Sequence, residues 1–444
     1  MYLIDESLYA GDCRPDTWLL YDPNENTLVR LNTSAANAMA HSAKSGQPPE
    51  DPDLLPLWQR SSAQVATKPY QLTPFQPTLV SLFLTNQCQL RCIYCYASAG
   101  QRQPLVMPWE IAKAGIDCVI QNAVEKKSKM VSVVFHGGGE ATLEWRLLEA
   151  AVQYGSSQAQ AAGLEVQFSG GTNAMLSRDQ CTWLASHFNT LTISLDGPPE
   201  IQNRHRPTAA GKASSSVVES TLQVLSELKM CFLIRATVTS ESAPQLVAFM
   251  HYLARFSGVR KVQLQPMFSL GRGQILNQLM PEPGLFIGNF LRAKSAGVNL
   301  GIQVSMAGTG ESGMITDGQY CGAVGGANFS ITPDGRLSAC YEVAASEDVN
   351  ADLFIYGKYD AAAKNFVIDE ERRRGLAELR GTNREACQNC FCLPTCAGGC
   401  PNKIMPETSY AEMPSNPGCE IIRALTVHYL QQCLEKPKEK EIIQ

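Results

Sequence analysis

Cys88, Cys92 and Cys95 follow one another at the spacing C-x3-C-x2-C in the segment Thr85-Asn-Gln-Cys88-Gln-Leu-Arg-Cys92-Ile-Tyr-Cys95. Three thiolates on so short a loop can ligate three irons of a [4Fe–4S] cube. The fourth iron then keeps an open position, unlike an electron-transfer cluster held by four cysteines. An open iron can chelate an amino and a carboxylate group of a small molecule. A zinc loop or three buried thiols would use the same spacing.

A second set of cysteines occupies the C-terminal third: Cys321-x13-Gly335-x4-Cys340, then Cys387-x2-Cys390-x5-Cys396-x3-Cys400, and later Cys419. Four of these could close a structural zinc ribbon, but an array of seven over about a hundred residues is also the composition of an iron–sulfur protein. Cys13, Cys118, Cys181, Cys231 and Cys433 are scattered and read as small buried hydrophobes. With 16 cysteines and no export signal, thiolates that bind metal are a better account than disulfides.

The elements that must position the first loop are legible from 79 onward. Strands are expected at 79–85, 130–135, 165–169, 190–195, 232–239 and 261–266. Helices are expected at 108–126, 143–162, 177–187 (capped by Ser177), 215–229 and 244–256. Such alternation implies an α/β fold with a parallel sheet, either a partial barrel or a doubly wound sheet, and function on the loops after the strand C-terminal ends. The cysteine loop follows the first strand. Phe135-His-Gly-Gly138-Gly139-Glu140 follows the second, Gly171-Thr-Asn173 the third, and Ser194-Leu-Asp196-Gly-Pro the fourth. Arg235 lies inside the fifth strand, where a charge needs a partner, and Ser240 stands at its end.

Residues 1–75 read as an appendage of two short strands (18–21 and 27–31) and an Ala-rich helix capped by Thr33 or Ser34. It would be a peptide-recognition unit or a packing element. Residues 76–305 form the α/β core, 306–434 the cysteine-rich segment with a last helix at 419–434, and 435–444 a charged tail. The net charge of −5 gives no reason to expect nucleic acid. The N-terminus lacks the pattern of a signal peptide and no apolar run approaches a membrane span, so a cytoplasmic location is expected.

The first cysteine motif, its place after a strand and the aromatic Tyr94 before its last cysteine resemble the signature of the radical S-adenosylmethionine (SAM) superfamily. The resemblance implies a partial (β/α)6 TIM barrel, reductive cleavage of SAM and hydrogen abstraction by a 5′-deoxyadenosyl radical. It places Gly138, Gly139 and Glu140 at the SAM amino group, although Ala141 stands where relatives often have Pro. Asn173 falls on a similar Thr-Asn segment, and Ser194 would meet the ribose or carboxylate. Asp196 would belong to the SAM shell or merely cap its turn. Arg235 would pair with the SAM carboxylate or with an internal acid. Ser240 is a further candidate, and Gln265-Pro266-Met267 would lie near the adenine. Gly271-Arg-Gly resembles a loop of the same branch, with no chemistry attached.

The C-terminal array resembles the seven-cysteine SPASM domain. The resemblance implies two auxiliary [4Fe–4S] clusters, the outer on Cys387, Cys390, Cys396 and Cys419, the inner on Cys321, Cys340 and Cys400, making three clusters in all. No cysteine occurs between 232 and 320, so the inner cluster would have an open iron, a water ligand or a distant ligand such as Cys13. Cys392 lies outside the pattern. Tyr341, Glu342 and His136 sit beside motifs without an assignable role.

Such relatives mostly modify peptides. The expected activity is therefore maturation of a ribosomally made precursor peptide by carbon–carbon or thioether cross-linking, epimerisation or backbone splicing. Flavodoxin or ferredoxin would serve as reductant, with a separate leader-binding protein conceivable. An anaerobic sulfatase maturase forming formylglycine is the alternative, and an iron–sulfur electron carrier the third.

Overall fold

The structure, a computed structural model, describes residues 1–9, 16–23, 27–61, 72–309, 319–404 and 415–435. Cys13 and all of the charged tail after Glu435 lie outside the described residues.

Two sheets organise the chain. A small antiparallel sheet joins β1 (Tyr2–Asp5), β2 (Thr17–Asp22) and β3 (Thr27–Asn32) in that order. The helix Thr33–Ser45 follows, and its cap is Asn32, whose side-chain oxygen accepts the Ala35 N–H at 2.8 Å. The expected caps Thr33 and Ser34 are the first two residues of the helix itself.

The large sheet begins with β4 (Leu79–Leu82), β5 (Met130–Phe135), β6 (Glu165–Thr172), β7 (Thr190–Ser194), β8 (Phe232–Val238), β9 (Val259–Pro266) and β10 (Gln303–Ser305). These seven lie side by side in chain order and pair in parallel. No reversal of strand order occurs, so the sheet is singly wound, and the doubly wound alternative falls. Right-handed crossovers then place all the helices on one face.

Side-chain alternation divides the two faces. In β8, Phe232, Ile234, Ala236 and Val238 are buried toward the helices, while Arg235 and Thr237 turn to the other side. The helices Trp109–Glu125 and Trp145–Ala161 bring Ile116, Val119, Leu148 and Val152 into the same core as Val131, Val133 and Phe135 of β5.

The cysteine-rich segment continues the same sheet. β11 (Ser330–Ile331) pairs in parallel with β4, and β12 (Arg336–Ser338), β13 (Ile355–Asp360) and β14 (Asn365–Ile368) follow antiparallel. The sheet therefore has 11 strands and open edges at β10 and β14. The helix Pro283–Asn299 and β10 are elements the sequence reading did not anticipate. The last helix runs Pro417–Glu435. Among the described residues no helix is long and apolar enough to cross a membrane.

Candidate active site

The loop after β4 is held in place by backbone geometry and three arginines. Gly139 N–H donates to the Thr85 carbonyl and Glu140 N–H to the Gln87 carbonyl, both at 2.8 Å. A Cβ at Gly139 would lie 2.0 Å from that Gln87 oxygen, so only glycine permits the approach. Arg91 Nη1 donates to the Cys88 carbonyl (2.6 Å) and Nη2 to the Gly100 carbonyl (3.1 Å). Arg272, from the Gly271-Arg-Gly loop, donates to the carbonyls of Cys92 (3.0 Å) and Ala99 (3.1 Å). That loop thus has a role the sequence did not show. Arg91 could have been suspected from its place inside the cysteine motif. Arg206 had no local signal.

Donors also face the sulfurs. Leu90 N–H and Asn173 Nδ2 reach Cys88 Sγ at 3.4 and 3.5 Å, and Arg206 Nη1 reaches Cys92 Sγ at 3.9 Å. Burial pushes the Cys88 thiol up to about 12 and the Cys92 thiol up to about 11, the latter against the pull of Arg206. Metal binding must release those protons. Thiols with hydrogen-bond donors aimed at them suit cluster sulfurs.

Cys88, Cys92 and Cys95 open onto a cavity of about 190 Å³ at the C-terminal ends of the parallel strands, which Tyr94, Gly138, Gly139, Glu140, Asn173, Ser194 and Arg235 also line. Ser194 and Arg235 are register partners on β7 and β8. Arg235 has no hydrogen-bond or ion-pair partner among the described residues, which leaves its guanidinium available to an anion from the cavity. The internal acid that would have explained Arg235 otherwise is not bonded to it.

Three expected SAM contacts change. Asp196 is 1% exposed and does not line the cavity. Arg206 grips it with Nε to Oδ2 and Nη2 to Oδ1, each 3.0 Å, while Thr237 N–H (2.9 Å) and the Tyr94 hydroxyl also donate to it. Burial alone would raise its pKa, but the Arg206 charge and bonds, with His205 Nδ1 3.5 Å away, hold it well below the carboxylate range. Asp196 therefore orients Tyr94 and Arg206 beneath the cysteine loop, and the Tyr94 hydroxyl is spent there.

Ser240 lies outside the cavity lining, and its N–H donates to the Leu279 carbonyl. Glu140 does line the cavity, yet its Oε1 accepts from Thr142 N, Thr142 Oγ1 and Thr172 Oγ1 and its Oε2 from Asn173 N. It stitches the β5 loop to the end of β6. The N–H groups of Gly139 and Glu140 being spent as well, the segment's carbonyl oxygens are what remains for an ammonium group.

The cavity is also lined by Glu342 and Lys403, an ion pair at 3.3 Å, with Asn402 Nδ2 on Glu342 Oε2 at 3.2 Å. His136 also lines it. Burial and Arg235 lower the His136 pKa to about 4, so the ring is neutral.

The remaining cysteines form two groups. Burial and the nearby charges of Cys400 and Cys321 raise the Cys340 thiol, and burial with the nearby charges of Cys419, Cys387 and Cys390 raises the Cys396 thiol. Among the described residues no three His, Cys, Asp or Glu side chains converge as a single-ion site. Cys387, Cys390, Cys396 and Cys419, with Cys392 and Cys400, line a second cavity of about 60 Å³ that shares Gln265, Pro266, Phe268 and Lys403 with the first.

The N-terminal sheet packs against the outer group. Ile4 and Leu19 share a core with Phe391, Cys392, Cys396, Val427 and Leu430, and Glu6 accepts from Arg30 Nε (2.9 Å) and Gln431 Nε2 (2.8 Å). Of the scattered cysteines, Cys181 is buried but Cys231 is exposed, contrary to the reading as a buried hydrophobe.

Residues 82–246 match the model of the Radical SAM superfamily. The chain is 30% identical over 182 residues to an uncharacterized protein of Methanocaldococcus jannaschii, covering 41% of this chain and 59% of that one. It is 23% identical to the serine-type anaerobic sulfatase-maturating enzyme of Klebsiella aerogenes (76% and 82% covered). It is 27% identical to the mycofactocin maturase MftC of Mycolicibacterium smegmatis (73% and 78%). Among solved structures, anSMEcpe with bound AdoMet and Cp18Cys peptide superposes with a TM-score of 0.64 at 21% identity, covering 80% of this chain and 97% of that one. The family's cofactors, SAM and a [4Fe–4S] cluster, fit the three-thiol loop and its cavity. The three-cysteine loop at the C-terminal edge of a singly wound parallel sheet lies within residues 82–246, the part of the chain that matches the Radical SAM superfamily, and the maturases among its relatives support an enzyme.

Proposed function

We propose that the chain is a peptide maturase that acts through a 5′-deoxyadenosyl radical on a ribosomally made precursor. The observation that carries this is the shared cavity. Cys88, Cys92 and Cys95 line it together with Glu342 and Lys403, which stand two and three residues after Cys340 and Cys400 in the chain. A substrate in this cavity would meet the hydrogen-abstracting centre close to the segments that carry an electron acceptor.

Cys88, Cys92 and Cys95 would hold the SAM-binding cluster. Arg235 would bind the cosubstrate carboxylate, Ser194 its ribose or carboxylate, and Gln265 and Pro266 would border the adenine. When bound, the cluster and SAM supply the radical. The protein's part is to orient the substrate and keep water out. The inner trio and the outer four would hold the two auxiliary clusters of a SPASM-type segment, reduced or oxidised one electron at a time by a flavodoxin- or ferredoxin-type partner.

The test is anaerobic reconstitution, reduction with dithionite, and addition of SAM with a short peptide encoded beside the gene. Formation of 5′-deoxyadenosine together with a mass change on the peptide is expected. No SAM turnover by the iron-loaded protein would refute it. A second reading, a sulfatase maturase, draws on the likeness to the Klebsiella aerogenes enzyme. Conversion of a Ser- or Cys-containing sulfatase peptide to formylglycine under the same conditions would favour it over the first.

A further inference from the structure

His136 is the first residue after β5 and lines the cavity with Cys88, Cys92, Cys95, Ser194 and Arg235. Of the chain's 6 histidines it is the one among the cavity's lining residues. It is half-buried, yet among the described residues neither ring nitrogen has a hydrogen-bond partner, and neither is sealed in as His205 Nδ1 is. A histidine kept for structure spends at least one nitrogen on the protein. His205 does so beneath the cysteine loop, with Nε2 3.3 Å from Thr239 Oγ1.

Two neighbours fix the His136 ring. Tyr341 meets it edge-on, with ring centroids 5.5 Å apart and planes at 68°. Gly171 on β6 lies against its other side, where a Cβ would come within 2.7 Å of Nδ1 and 3.3 Å of Cε1. Gly171 has no left-handed φ, so the missing side chain makes room for the ring and serves no turn. Tyr341 directly follows Cys340, which sets the ring beside the segment expected to hold the inner cluster. Burial and the Arg235 charge keep the imidazole neutral, the form that accepts a proton.

We propose that His136 is a catalytic base that takes a proton from the substrate peptide as the peptide radical is oxidised. The proposal rests on the peptide-maturase reading and narrows it to net two-electron oxidations, such as a cross-link or a new carbonyl. One substrate C–H bond breaks, and its hydrogen atom leaves as part of 5′-deoxyadenosine. The carbon radical then forms a new bond to a neighbouring sulfur, oxygen or ring carbon. That atom's own hydrogen leaves as a proton to a His136 nitrogen, and the remaining electron passes to an auxiliary iron–sulfur cluster, the oxidant. With no proton acceptor at the cavity wall, the radical is quenched before the bond closes.

The test uses the full-length, anaerobically reconstituted protein with SAM, dithionite and the peptide encoded beside the gene. His136→Gln, His136→Ala and Gly171→Ala are compared with the wild type for iron content, SAM affinity by equilibrium dialysis, 5′-deoxyadenosine and modified peptide. Both His136 variants should keep their iron and SAM affinity and still form 5′-deoxyadenosine, while modified peptide falls about 100-fold or more. In D2O the unmodified peptide recovered from them should carry deuterium at the abstracted position. Added imidazole should restore product in His136→Ala, and Gly171→Ala should lose product by displacing the ring. Modified peptide at the wild-type rate in both His136 variants would overturn the proposal. So would weakened SAM binding without rescue by imidazole, which would make His136 part of the SAM site. Absence of 5′-deoxyadenosine from the wild type would sink the maturase reading itself, and the proposal with it.

Discussion

Replacing Gly139 by alanine puts the added methyl group 2.0 Å from the Gln87 carbonyl oxygen and 2.7 Å from its nitrogen. Carbon–oxygen contacts bottom out at about 3.3 Å, so the Gln87 backbone must retreat by more than about 1 Å. The bonds from Gly139 N–H to Thr85 and from Glu140 N–H to Gln87, both 2.8 Å, would then stretch out of range. Two lost hydrogen bonds at about 1 kcal/mol each and about 1–3 kcal/mol of overpacking give roughly 3–5 kcal/mol against the native loop position. That is less than the stability of most domains of this size, roughly 5–15 kcal/mol, so the chain should still fold. The segment that moves carries Cys88, and the damage should therefore appear as iron lost from the first cluster. The assay is iron content and visible absorption after anaerobic reconstitution, beside thermal denaturation. Gly288→Ala is the control: it lies in the helix Pro283–Asn299, its added methyl would meet nothing within 4 Å, and it should stabilise by roughly 0.5–1 kcal/mol. A Gly139→Ala protein that loads iron and binds SAM like the wild type would refute the reasoning.

Asp196→Asn leaves Arg206 buried without its counter-charge and should cost about 3–5 kcal/mol at pH 7, read as a lower urea midpoint. Because the Asp196 pKa is depressed in the folded state, its stabilisation is complete above the unfolded value of about 3.9 and is lost as pH falls through the folded one. The gap between wild type and variant should close in strong acid, and equal midpoints at pH 7 would contradict the assignment. Arg235→Met should weaken SAM binding at least tenfold in equilibrium dialysis with iron content unchanged, and an unaltered affinity would remove Arg235 from the site. Cys321→Ala and Cys396→Ala should each lose about four of about twelve irons, whereas the exposed Cys231→Ser should lose none. Equal iron in all three proteins would end the two-group reading.

The cysteine spacings, the glycines after β5 and the alternation of strand and helix could be read from the chain, because each is a local property. A C-x3-C-x2-C loop brings its thiols together by covalent connection, and strand periodicity puts Arg235 and Ser194 on one face whatever their neighbours. The division of the remaining cysteines into three and four could be named from the sequence only by resemblance.

The fate of the polar side chains was decided by packing alone. Asp196 and Glu140 look like ligand-binding acids in the sequence. Which donors reach a carboxylate depends on segments far apart in the chain, and Arg206, Thr172 and Asn173 had filled theirs. The same holds for the N-terminal sheet. Nothing in residues 1–45 tells that Ile4 and Leu19 cover Cys392, since an apolar face specifies that it will be buried but not against what.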